Sequence, residues 1–194
     1  MPICRLGEHT VGVLSADVFP AGDKVITGGH DASATIWNTS SPCTLLLVLE
    51  LSTWVIGVTA LSGGREAATV TASGELALWD AESGQRLRTL FPEDTRDVDF
   101  VSDLATFPGG ERFAFSAGGV GQVWNRSSPN PKLLVMPSRS LLGLSVSIGG
   151  DLVAGCGSGQ VDLWDTWSWQ RLHVLTEAAA DKHPQGPACF VAIG

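Results

Sequence analysis

Gly155-Cys-Gly-Ser-Gly159 has the composition of a loop that cradles phosphate, and Gly143-Leu-Ser145 has the start of a nucleophile turn. A phosphate loop needs a following lysine and a helix N-terminus whose N–H groups face the anion. No lysine follows Gly159, and the next stretch, Gln-Val-Asp-Leu-Trp164, alternates like a strand. Gly143-Leu-Ser145 lacks the second glycine of a nucleophile elbow. The four histidines, His9, His30, His173 and His183, are dispersed, with no ligand spacing between them. Asp17 is the one carboxylate of interest in its apolar stretch, and a lone carboxylate does not make an acid/base pair. No catalytic, cofactor-binding or metal site is expected.

Composition narrows the partners. Twelve Lys+Arg face 20 Asp+Glu, a formal net charge of −8. Only three lysines and nine arginines can neutralise phosphates, which argues against a general nucleic-acid binder. The longest apolar run, Leu45-Leu-Leu-Val-Leu49, is far short of the ~20 residues of a spanning helix, so no membrane segment is expected. The N-terminal MPICRLGEHT has no apolar stretch of the secretory kind. Cys4, Cys43, Cys156 and Cys189 lie far apart without a CxxC, which reads as free thiols in a reducing compartment, the cytoplasm or the nucleus. On that basis the sequons at Asn38 and Asn125 are coincidental.

The elements that position these residues follow from a repeat. Four segments end in Trp followed by Asp or Asn: Trp37-Asn, Trp79-Asp, Trp124-Asn and Trp164-Asp. Their spacings are 42, 45 and 40 residues. Each Trp closes an alternating stretch, the period of a strand with one buried face. A glycine-bearing turn precedes each, and a second strand precedes that turn: VITG, ATVT, RFAFS and LVAG. Further upstream a hairpin recurs as FPAGD, LSGGR, FPGGE and SIGGD, after an apolar strand. A fourth strand follows each Trp: CTLLLVL, QRLRTL, KLLVM and QRLHVL. Short strands joined by tight turns make an antiparallel four-stranded unit, and such units must stack to bury their faces.

Gly7-Glu-His9-Thr, Phe19-Pro-Ala-Gly22, Thr27-Gly-Gly-His-Asp31 and Trp37-Asn38 together resemble a WD repeat, the blade of a β-propeller. The resemblance covers nearly the whole chain. It implies an all-β propeller with four antiparallel four-stranded blades, strands a to d, plus a partial fifth repeat. The repeats run over 3–42, 43–84, 85–130 and 131–170, with the partial one over 171–194. It also implies a hydrogen-bonded tetrad of His9, Thr27, Asp31 and Trp37 in the first repeat. In the second, Leu51 and Ser73 stand at the His and Asp positions, while Thr69 and Trp79 remain. The third and fourth have a shorter b–c turn with Gly118-Gly119 and Ser158-Gly159. The last three blades, with Trp79, Trp124 and Trp164, are therefore expected to rely on apolar packing and glycine turns.

Two surface features point to partners. Glu93, Asp94, Asp97, Asp99 and Asp103 face only Arg96 in an eleven-residue stretch that the resemblance puts between strands d and a. Such a loop either attracts a basic partner or is simply solvated. Trp167 and Trp169 fill a c–d turn whose counterpart in the second repeat is AESGQ. They either anchor another surface or cover a blade edge. Ser41-Pro42 and Ser128-Pro129 match proline-directed phosphorylation sites, although turn chemistry alone explains them. A d-type strand at Ile3–Leu6 and an a-type strand at 188–194 would leave open ends prone to self-association. The expected role is a non-catalytic scaffold for protein–protein interaction, belonging to a larger propeller or assembly. The alternatives are a regulatory sensor array in a longer signalling protein and, less favoured, a propeller enzyme.

Overall fold

The computed structural model describes residues 6–7, 9–40, 42–61, 63–91, 101–117, 120–126, 132–134, 143–157 and 160–176. Among them there is no helix. Sixteen strands form four antiparallel four-stranded sheets, each in sequence order. The first holds β1 (Val13–Val18), β2 (Lys24–Gly29), β3 (Ser33–Asn38) and β4 (Thr44–Glu50). The second holds β5 (Val55–Ala60), β6 (Glu66–Thr71), β7 (Leu76–Asp80) and β8 (Arg86–Phe91). The third holds β9 (Val101–Thr106), β10 (Arg112–Ala117), β11 (Val120–Asn125) and β12 (Lys132–Leu134). The fourth holds β13 (Gly143–Val146), β14 (Leu152–Gly157), β15 (Gln160–Asp165) and β16 (Arg171–Thr176). The expected repeat intervals are offset from these sheets by one strand, because each interval begins on the last strand of the preceding sheet.

One hairpin is built four times. Gly22, Gly64, Gly110 and Gly150 all have φ near +70°, the left-handed region that glycine enters without Cβ strain. Each donates its N–H three residues back, to the carbonyls of Phe19, Leu61, Phe107 and Ser147. Those four residues in turn donate to Lys24, Glu66, Arg112 and Leu152, closing the first two strands of every sheet in one register. The chain divides into two compact units, Met1–Val101 and Ser102–Gly194.

In the first unit the two sheets stack face to face. Ile26, Ala34, Ile36 and Leu49 of the first sheet pack on Val55, Val58, Ala67, Ala77 and Trp79 of the second. Gly28 permits this approach, since a Cβ there would lie 2.6 Å from Val55 Cγ1 and 2.8 Å from Val58 Cγ1. In the second unit Phe107, Ala114 and Val123 pack on Leu144, Val153 and Trp164 in the same way. The tryptophan-bearing face of the later sheet thus covers the opposite face of the earlier one. A bulge lies just before the Trp in three sheets, at Ile36/Trp37, Leu78/Trp79 and Leu163/Trp164.

Two expectations need correction. Cys43 and Cys156 are each disulfide-bonded, not free thiols. Separation along the chain says nothing about Cα proximity in a fold that repeats every ~40 residues. The cysteines therefore lend no support to a reducing compartment. The last three sheets, moreover, do not rely on apolar packing alone, as the polar groups beside their tryptophans show. The strands expected at Ile3–Leu6 and 188–194 lie outside the described residues, except for Leu6.

Candidate functional site

The first sheet carries a continuous polar column across its strands. Thr27 on β2 pairs with Thr35 on β3, and Val25 pairs with Trp37, so all four side chains share one face. The Trp37 indole N–H donates to Thr35 Oγ1 at 2.8 Å, and the Thr35 and Thr27 hydroxyls lie 2.7 Å apart. Thr27 Oγ1 meets His9 Nε2 at 2.8 Å, and His9 Nδ1 lies 3.0 Å from both oxygens of Asp31. Every group is satisfied when His9 carries its proton on Nδ1. Then Trp37 donates to Thr35, Thr35 to Thr27, Thr27 to His9 and His9 to Asp31. Asp31 also accepts from Ser33 Oγ at 2.8 Å and from the Thr10 N–H at 2.9 Å. Gly29 leaves room for the imidazole, because a Cβ there would sit 2.8 Å from His9 Nδ1.

The four residues expected from the sequence are thus brought together, with Thr35 between Trp37 and Thr27. Thr35 lies two residues before the Trp on the same face, and that period-two offset is the signal that could have found it. The same offset explains the other sheets. Ala77 offers no hydroxyl, so Trp79 donates directly to Thr69 Oγ1 at 2.9 Å. In the third sheet Gln122 fills the place and its Oε1 accepts from Trp124 at 3.1 Å. In the fourth it is Asp162, fully buried beside Trp164, which accepts from Gln160 at 2.6 Å and from Arg171 at 3.3 Å. Glu75 in the second sheet is likewise buried and paired with Arg86, whose guanidinium lies 4.6 Å from the Trp79 ring centroid. Acid–arginine pairs thus stand beside the tryptophans of the second and fourth sheets, with each arginine opposite its Trp where the first sheet has Leu45.

Burial alone would raise the Asp31 pKa. The hydrogen bonds from Ser33, His9 and Thr10 outweigh it and lower the value from 3.8 to about 2. A carboxylate whose pKa is depressed on folding contributes stability that is complete above about pH 4 and lost as pH falls through 2. Asp31→Asn should therefore flatten the acid limb of stability in that window, followed by urea midpoints against pH. An unaltered acid limb would show that Asp31 carries no such linkage.

The partner-binding candidates separate. Asp103 lies on β9, half-buried, with its carboxylate accepting from the Leu144 N–H at 2.8 Å and the Leu104 N–H at 2.8 Å. Burial raises its pKa, and those two N–H groups only partly offset the shift. It is committed to joining strands β9 and β13. Ser15 holds the same place on β1, where its hydroxyl accepts from Val58 N–H of β5 at 3.2 Å. Glu93, Asp94, Asp97 and Asp99 lie outside the described residues, as do Ser41, Ser128 and Pro129. Asp17 is also internal: it accepts from Thr59 Oγ1 at 3.0 Å and Ala60 N–H at 2.9 Å.

Trp167 and Trp169 behave differently from each other. The turn from Asp165 repeats the turn from Asp80. Ser83 N–H and Oγ donate to Asp80, Ser168 N–H and Oγ donate to Asp165, and these bonds hold both carboxyls below their usual pKa. Gly84 closes the first turn at φ +73°, and Trp169 closes the second at φ +57°. A bulky residue in that region is strained, and contacts must hold it there. The Trp169 ring packs edge-on to Phe107 at 6.5 Å between centroids, against the core of its unit. Trp169 therefore covers a neighbouring sheet, while Trp167 is 87% exposed.

Among the described residues, no three His, Cys, Asp or Glu side chains gather as a metal site. No helix there is long and apolar enough to cross a membrane. A scan against protein-family models finds no match, and a search of the curated proteins finds none either.

Proposed function

We propose that this chain is a WD-repeat β-propeller segment that works as a non-catalytic scaffold for protein–protein interaction. The observation that carries the proposal is the fourfold recurrence of one sheet, with the same glycine hairpin and a Trp at the same place on its third strand. The His9–Thr27–Asp31–Trp37 column adds to it, since those residues are the ones the resemblance assigns to a locking tetrad. The scaffold works through rigidity. Turns tied by Asp–Ser hydrogen bonds and by paired carboxylates hold their side chains in place, so a partner binds with little ordering entropy lost. The residues with chemical potential are spent internally: Asp17 and Asp103 join neighbouring strands, and His9 lies within the column.

Affinity capture with the intact chain, read by mass spectrometry, tests this proposal. Proteins should be enriched over a control of the same chain denatured by heat. A specific set lost on adding Trp167→Ala would assign that exposed ring to binding. A chain that enriches nothing over the control would remove the scaffold proposal.

A further inference from the structure

At one rim of the first unit two aromatic rings are stacked in the open. His30, in the turn between β2 and β3, lies 4.5 Å from Trp54 between centroids, with the planes 20° apart. Trp54, just before β5, keeps 49% of its surface exposed, and His30 is exposed as well. Both loops are fixed by backbone hydrogen bonds. The His30 N–H donates to Gly12, the Leu51 N–H to Ala32, and the Ala72 N–H to the Trp54 carbonyl. An indole held out in this way is not needed by the core cluster of its unit, which is built from other residues.

The charge around it is one-sided. Alternating strand directions bring residues 9–12, 29–33, 50–55 and 71–76 to this same rim, and no Lys or Arg occurs among them. Glu50 is exposed there, beside Ser33 in the register of β3 and β4. The Arg86 backbone starts from the opposite rim, but its guanidinium reaches up to Glu75 and is held there by that carboxylate and the Trp79 ring, while Lys24 and Arg65 lie at the opposite rim with Asp80 and Glu82. The chain as a whole carries a net charge of −8. An exposed indole face and an exposed carboxylate on the same rim, in an acidic chain, together favour a guanidinium or ammonium group.

We infer that the Trp54–His30 stack is a docking platform for an arginine- or lysine-bearing segment of a partner protein. The inference deepens the scaffold proposal and rests on it. The cationic side chain lies on the open part of the indole while Glu50 draws it to the rim.

The probe is a short fluorescein-labelled peptide in which arginines alternate with glycine and serine, titrated by anisotropy against the intact chain. A matched peptide with citrulline for arginine keeps the shape and removes the charge. The arginine peptide should bind saturably, and Trp54→Leu should weaken it roughly three- to thirtyfold. The citrulline peptide should lose affinity comparably on the unaltered chain, an arm that does not depend on how the variant folds. Ile148→Ser, at an exposed position outside the platform, should leave arginine-peptide affinity unchanged. Absence of saturable binding, equal affinity for Trp54→Leu, or equal affinity for citrulline would overturn the platform. If Trp54→Leu still captured the same proteins as its parent, the platform alone would fall. A parent chain that captures none removes the scaffold proposal itself.

Discussion

Trp79→Ala should destabilise the first unit by about 3–5 kcal/mol, and by more than Trp37→Ala does. Both rings are 5% exposed, so burial does not separate them. Their neighbours do. Trp79 lies in the seam where the first sheet covers the second, packed with Ile26, Ile36 and Leu49 and lying beneath Arg86. Its removal leaves a void lined by two sheets, and neither can close it without leaving its own hairpin register. It also strips the Thr69 hydroxyl of its indole donor and Arg86 of its ring. Trp37 lies on a face with no covering sheet of its own unit, so side chains around it can relax into the space. A loss of this size is a large part of the ~5–15 kcal/mol that holds an ordinary domain together. Urea melts followed by circular dichroism measure both variants without relying on the tryptophans themselves. Equal or larger loss in Trp37→Ala would show that the polar column, not the seam, dominates.

The recurrence of Trp at near-constant spacing made the four sheets legible, because period-two alternation before each Trp and a glycine hairpin upstream are local signals. The hairpin glycines were legible for the same reason: φ near +70° admits few other residues. His9, Thr27, Asp31 and Trp37 were found through the resemblance. Thr35 was not, although it stands two residues before Trp37, because the resemblance names one hydroxyl and the geometry uses two. Glu75–Arg86 and Asp162–Arg171 were hidden for another reason. Each joins an acid on or just before the third strand to an arginine on the fourth across a register that depends on where the bulge falls, and spacing alone does not fix that.

Asp103 illustrates the limit most plainly. In sequence it closes an acidic run, and charge patterning treats all five carboxylates alike. In the fold its carboxylate meets the Leu144 N–H, on a strand 41 residues away. Its counterpart Ser15 has no charge and does the same work. The requirement at that place is an acceptor for the open edge of the next strand, and Asp is one of several side chains that supply it. The tryptophans of the fourth c–d turn divide on similar grounds. Only the turn geometry, with Trp169 at the place of Gly84, tells that one ring is pulled inward and the other left out.

Charge placed on the Trp37 face should turn an associating chain into a monomer without loosening its sheets. Val18 and Val48, 57% and 51% exposed, flank this face, and Leu45 lies on it opposite Trp37. In the second sheet the matching face, with Val58, Ala67, Ala77 and Trp79, is covered by the first. The same face thus exists twice in this unit, packed against a sheet in one case and edged by exposed valines in the other. Water-exposed valines on the two edge strands of a sheet are the kind of surface that a second surface can cover. The expected occupant is a second copy of this chain. Val18→Lys with Val48→Lys should cost little folding stability, since exposed positions usually change it by about 0.5 kcal/mol or less. They should abolish association, because two desolvated ammonium groups would have no partner in the seam. Light scattering coupled to gel filtration reads the outcome directly. A parent chain that elutes as a monodisperse monomer of its 20.3 kDa mass and unfolds cooperatively would show that this open face needs no cover.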